Sequence, residues 1–143
     1  MTSRDDQAAF YRAALLLGLV RGDVVLQWAD DLIARDASPS ATLVEIATTP
    51  PDDLTVMRQR LLALCDGKES AEVRRALLGL VHRDLVSGRR GFQDTMTVLK
   101  QMRGFLKVDA ALNEQLKTLG VDVVMAAPGA EQRVRAWLRQ HDR

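Results

Sequence analysis

The stretch Ala13-Ala14-Leu15-Leu16-Leu17-Gly18-Leu19-Val20-Arg21-Gly22-Asp23-Val24-Val25 constrains this chain more than any other. An aliphatic run at helical spacing stops on a glycine, turns, and resumes as a second aliphatic run behind a carboxylate. It reads as helix, corner, helix. Sixty-one positions on, Arg75-Ala76-Leu77-Leu78-Gly79-Leu80-Val81-His82-Arg83-Asp84-Leu85-Val86 returns a similar phrase, with Gly18 on Gly79 and Asp23 on Asp84. The stretches 10–48 and 71–119 are candidate copies of one helical-hairpin unit, but leucine-rich helices match one another readily by chance and two copies are fewer than the three or so a solenoid needs, so a closed bundle is the preferred reading.

Start and stop signals divide the rest. The spacing predicts a first helix capped by Thr2 or Ser3 and running to about Leu17. A second is expected from an Asp23 cap to near Arg35, and a third from Ser38-Pro39 through Ala47. Thr49-Pro50-Pro51 breaks the third helix. Asp52 and Asp53 lead into a fourth, with Leu54, Met57, Leu61, Leu64 and Cys65 inward and Gly67 as its stop. Ser70 caps a fifth whose core row is Val73, Leu77, Leu80, Val81 and Leu85, before a basic loop at Ser87–Gly91. A sixth is expected from Phe92 to Leu106, a seventh from Asp109 to Gly120, and a last after Pro128-Gly129 with Val134, Trp137 and Leu138 inward. Val121–Ala127 reads as helix because no second strand exists for it to pair with. The expected fold is all-α, a single-domain irregular helical bundle of seven or eight helices over 1–143.

Composition agrees with helices packed through medium aliphatic side chains. Aromatic residues are only 4% of the 143 and apolar residues 47%, enough chain to bury roughly two-thirds of its unfolded surface. Cys65 is the single cysteine, so no intramolecular disulfide forms, as suits a reducing cytosol. The polar start, Met1 to Asp6, does not resemble a secretory leader, and no run approaches the roughly 18 apolar residues of a membrane span. The expected location is cytoplasmic, with no membrane partner.

Motifs of chemistry are scarce. His82 and His141 are the only histidines, and neither paired cysteines nor a His-x-x-Glu-His pattern occurs, so no metal is expected. Gly18-x-x-x-Gly22 lacks the Lys-Ser/Thr sequel of a phosphate loop. Cys65, on an inward row, reads as a small core residue. Trp28, Trp137, Met96 and Met102 read as core. No catalytic residue and no cofactor are expected.

Ala14–Val20 followed by Val24, Val25 and Trp28 resembles the helix-turn-helix motif, and the resemblance implies a second helix that reads DNA. That helix carries Asp23, Asp30, Asp31 and Asp36 against Arg35, a charge that phosphates repel. A structural hairpin is the better reading.

Charge is the remaining signal. Residues 1–66 hold six basic and ten acidic side chains, net −4, and residues 67–143 hold fourteen and nine, net +5. Such asymmetry steers charged partners. Two candidate surfaces follow, an acidic one at Asp30, Asp31, Asp52 and Asp53, and a basic one at Arg89, Arg90, Lys100, Arg103 and Lys107. The last three share a helix face through their three-and-four spacing. No aromatics interleave the basic stripe for base stacking, and Asp84 and Asp94 dilute it. The expected function is a non-catalytic protein–protein interaction module that docks by charge complementarity: an adaptor, an inhibitor, or an immunity-type protein that blocks a toxic enzyme. The alternative is nucleic-acid binding through the basic surface.

Overall fold

The computed structural model describes residues 3–65, 70–105 and 110–142, with the backbone alone at Phe105. The expectations placed on Thr2, Gly67, Leu106, Lys107 and Asp109 lie outside the described residues. Those residues form eight helices and no strand: α1 (Arg4–Leu16), α2 (Gly22–Arg35), α3 (Ala41–Ala47), α4 (Leu54–Cys65), α5 (Ala71–Val86), α6 (Phe92–Phe105), α7 (Ala110–Val124) and α8 (Ala130–His141). The all-helical bundle read from the sequence is the architecture observed. No described helix is long and apolar enough to cross a membrane. Residues 1–73 and 74–143 form two compact units, divided in the first turn of α5.

In the first unit α1 packs on α4, α2 on α3, and α3 on α4. Ser3 caps α1, its Oγ accepting from the Asp6 amide at 3.0 Å, which satisfies one of the helix's orphan N–H groups. Ala8, Ala9, Ala13 and Ala14 are all buried, so these short side chains let α1 approach closely. Val25, Ala29, Leu43, Ile46, Met57 and Leu61 complete the core. Gly18, at φ +70°, ends α1: its amide bonds the Leu15 carbonyl at 3.1 Å and that of Leu19 bonds Ala14 at 2.8 Å. This is a Schellman cap, closed by Leu19, itself buried.

Two starts differ from expectation. Helix α2 begins at Gly22, with Arg21 as an extended cap residue that makes no side-chain cap bond, and Asp23 sits in the first turn. The cause is steric: a Cβ at Gly22 would overlap the Pro51 carbonyl, so the close approach of the α3–α4 turn selects the residue that opens the helix. Helix α3 is capped by Ser40, whose Oγ accepts from the Leu43 amide at 3.1 Å, rather than by Ser38. The Ser38 amide instead closes a turn on Asp36 Oδ1 at 2.9 Å. The double-proline break holds as read, and Arg60 ties it to α4 by donating to Thr49 Oγ1 at 2.6 Å and the Glu45 carbonyl at 2.7 Å.

In the second unit α6 packs on α7 and α7 on α8. Helix α5 is joined to the end of α8 through Asp142, which accepts from Arg83 Nη1 at 2.9 Å and lies 2.7 Å from His82 Nδ1. Ser70 caps α5 as expected, accepting from the Val73 amide at 3.1 Å. Leu77, Leu78, Val81, Val98, Leu99, Met102, Leu112, Leu116, Val134 and Leu138 are buried, whereas Leu80 is half-exposed.

The corner does recur, but not at Gly79. That glycine lies inside α5, where Asp142 Oδ1 would stand 3.0 Å from an added Cβ. The left-handed turn falls at Gly88, φ +77°, seventy positions after Gly18. At that spacing Leu15 and Leu85, Val25 and Thr95, and Ala29 and Leu99 are buried in pairs. The second turn is one residue wider, because the Asp84 carbonyl accepts from Arg90 while Ser87 Oγ takes the Arg89 amide.

Helix α7 continues past Gly120 to Val124, since a glycine in the body of a helix weakens it without ending it. Its cap repeats the Gly18 geometry on a non-glycine residue. Ala126, at φ +52°, bonds the Val123 carbonyl at 3.1 Å and Ala127 bonds Asp122 at 2.9 Å.

Two substitutions check this account. Gly22→Ala is expected to cost about 1–3 kcal/mol through forced overlap, and Ala126→Gly to add about 1 kcal/mol by removing a left-handed alanine. Both are read as shifts in urea midpoint. An unchanged midpoint in Gly22→Ala would remove the steric explanation of where α2 starts.

Candidate functional site

The sequence-predicted charges divide between those that hold the fold and those that face outward. Asp84 is buried, with 4% of its surface exposed. Arg89 Nη1 and Arg90 Nε stand 3.9 and 4.0 Å from its carboxylate. A buried carboxylate needs such neighbours, so this pair serves the α5–α6 turn. Arg103, half-buried, donates from Nε to Asn113 Oδ1 at 3.1 Å and links α6 to α7. Lys100 is exposed. Lys107 is outside the described residues.

The acidic candidates are all exposed but do not form one cluster. Asp53 accepts from the Val56 amide at 3.4 Å, across the start of α4, and Asp31 accepts from Gln27 Nε2 at 2.9 Å within α2. Asp52 and Asp53 follow Pro51, which abuts the first residue of α2. Asp30 and Asp31 lie eight and nine residues further along that helix, about 12 Å away along its axis. No group of three or more His, Cys, Asp or Glu side chains among the described residues is placed to hold a metal ion.

Several polar side chains act differently from what spacing suggested. Trp28 and Trp137 are half-buried, and each donates its indole N–H to a glutamine one helix earlier, Gln7 at 2.8 Å and Gln115 at 2.9 Å. His141 is the last residue of α8, its ring 4.4 Å from that of Trp137. Cys65 is buried, as its inward row implied.

The feature that spacing did not disclose is a groove between α6 and α7, with a volume of about 390 Å³. On the α6 side it is lined by Gln93, Met96, Thr97, Leu99, Lys100 and Arg103, at the three-and-four intervals of one helix face. On the α7 side Leu116, Lys117, Gly120, Val121, Val123 and Val124, followed by Met125, complete it. Val121, Val124 and Met125 are 53%, 84% and 73% exposed, an outward apolar stripe at the end of α7. The sequence signal was the stretch Val121–Ala127, expected as helix throughout; the helix continues only to Val124 before the left-handed turn at Ala126, which is enough to put these three on one side. Met96, expected as core filler, is a half-exposed wall of the groove. No family model, curated protein or solved structure matches this chain.

One acidic candidate has a measurable electrostatic consequence. Burial first, and the nearby Asp31 carboxylate second, raise the pKa of the Tyr11 phenol from its ordinary 10.0. The ring packs 5.1 Å from Trp28. The folded chain therefore keeps this proton after the unfolded chain has lost it, so the contribution is complete below about pH 10 and is lost as pH rises through the folded value. Tyr11 is the only tyrosine, so phenolate absorbance reports it alone. The expected midpoint lies above 10 in the native protein and returns toward 10 in denaturant, and Tyr11→Phe removes part of the alkaline loss of stability. A native midpoint at or below 10 would contradict the burial of this ring beside Asp31.

Proposed function

We propose that this protein is a non-catalytic protein–protein interaction module whose docking site is the α6–α7 groove. The observation that carries the reading is the exposed stripe of Val121, Val124 and Met125 beside an open, largely apolar groove. Such a patch on a folded surface is stabilised by being covered. Burying a Val- or Met-sized side chain contributes about 1.5–3 kcal/mol, so three anchors contribute roughly 4.5–9 kcal/mol before association costs, and a stable complex must draw on the rest of the groove as well.

Charge enters as steering. The second unit, residues 74–143, has thirteen basic and seven acidic side chains, a balance that speeds encounter with an acidic partner. Adaptor, inhibitor and immunity-type roles all use a surface of this kind. Nucleic-acid binding through the basic residues is the less supported reading, because Arg89 and Arg90 stand beside Asp84 and Arg103 is engaged with Asn113.

The test is affinity capture of the tagged protein from nuclease-treated lysate of its own host, compared with a Val121→Asp/Val124→Asp variant. Both side chains are exposed, so circular dichroism should be unchanged. The expected result is one stoichiometric protein held by the parent chain and lost by the variant. A partner retained equally by both would place the interface elsewhere; recovery of nucleic acid alone from a parallel lysate left without nuclease would support the basic-surface alternative.

A further inference from the structure

The rim of the groove narrows the class of partner. Its cations come from both walls, Lys100 and Arg103 from α6 and Lys117 from α7, and among the described residues no Asp or Glu lines it. Arg103 is engaged with Asn113. Lys100 and Lys117 are exposed and make no ion pair or hydrogen bond among the described residues. Two available ammonium groups therefore flank an apolar floor from opposite sides.

The dimensions suit a helix. Ten residues separate Gln93 from Arg103 along the α6 wall, about 15 Å, the length over which a helical ligand presents anchors at i, i+3 or i+4, and i+7. Gly120 stands within the α7 wall, with nothing within 4 Å of the place its Cβ would occupy. Glycine is a poor helix former, yet no neighbouring atom would obstruct a larger residue here, and its effect is to keep the groove open. Both walls are helices, so a third can seat its ridge between them. The described residues offer no strand edge for an extended peptide to join. A single acyl chain would present one carboxylate, whereas the cations on both rims match a ligand with anions along both sides.

We infer that the groove receives one amphipathic α-helix of a partner protein, its apolar stripe on the floor and its Asp or Glu side chains on both flanks against Lys100 and Lys117. This occupant rests on the interaction reading above and adds to it the form and charge of the partner segment. Charge reversal at the two lysines is the direct probe, because both are exposed and leave the core untouched.

The experiment is selection from a displayed library of helices that carry Leu, Ile, Met or Phe on one stripe and randomised residues on both flanks. Selection is run on the full chain and on Lys100→Glu/Lys117→Glu. Enrichment of Asp and Glu on the flanks is expected with the parent chain, and of Lys and Arg with the reversed one. A selected acidic peptide should lose about tenfold in affinity on reversal and should bind more weakly as salt rises. It should fail to bind Gly120→Met, which fills the groove. Helices enriched with no preference at the flanks, yet lost in Gly120→Met, would overturn the acidic partner while leaving the interaction reading intact. No helix enriched, or helices indifferent to Gly120→Met, would overturn both. Palmitate or phosphatidylglycerol vesicles bound in a Lys100- and Lys117-dependent manner, with no helix enriched, would replace the partner with a lipid.

Discussion

Reversal of direction at helix ends is the constraint on which the rest of this structure depends. A chain built from Leu, Ala and Val helices has few bulky side chains to set the angle between neighbours, so the backbone geometry of each corner sets it. At Gly18 and at Ala126 the same pair of hydrogen bonds, from the two residues after the last turn back to the carbonyls inside it, converts an ending helix into a defined exit path. Gly88 gives the same hand with one residue more, because Ser87 intercepts the Arg89 amide. The close contact of Gly22 with Pro51 then fixes where the next helix begins.

Polar links supplement a core that aromatic residues do little to fill. Arg60 spans the double-proline break, Asp142 gathers His82 and Arg83, and both tryptophans are held by a glutamine on the preceding helix. The Asp142 links join α5 to the end of α8, whereas the others tie consecutive elements, and each gives a polar group a partner inside the fold. The arginines at 89 and 90 serve likewise around Asp84. These cations belong to the fold before they are available to any partner.

Helix content was legible because the apolar spacing of three and four is local, and so are the caps at Ser3 and Ser70. What spacing could not place was anything decided by a distant neighbour. Asp23 is a good cap residue in isolation, but the approach of Pro51 to Gly22 puts the cap of α2 two residues earlier, at Arg21. Gly79 matched Gly18 because leucines, valines and alanines surround both, while the difference between a glycine in a left-handed turn and one beneath Asp142 is tertiary. The same limit explains the site. Lys100 and Arg103 were visible as a stripe, but Lys117 joined them only through the pairing of α6 with α7, and the outward stripe at the end of α7 followed only once Gly120 was seen not to stop the helix.

Net charge by itself says little about where such a protein binds, because charges of one sign do two kinds of work. Arg90 and Arg103 are partly buried and oriented by neighbours in the same chain, the Asp84 carboxylate offsetting the charge of Arg90 and the neutral Asn113 amide fixing the direction of Arg103. Lys100 and Lys117 lack such neighbours among the described residues, and they border apolar surface that water solvates poorly. An ammonium group beside an apolar surface gains more from a carboxylate that arrives with its own apolar body, since the approach removes water from both and strengthens the pairing that remains. The asymmetry seen along the sequence thus becomes specific only where unpaired charge and exposed aliphatic surface coincide, and in this chain they coincide between α6 and α7.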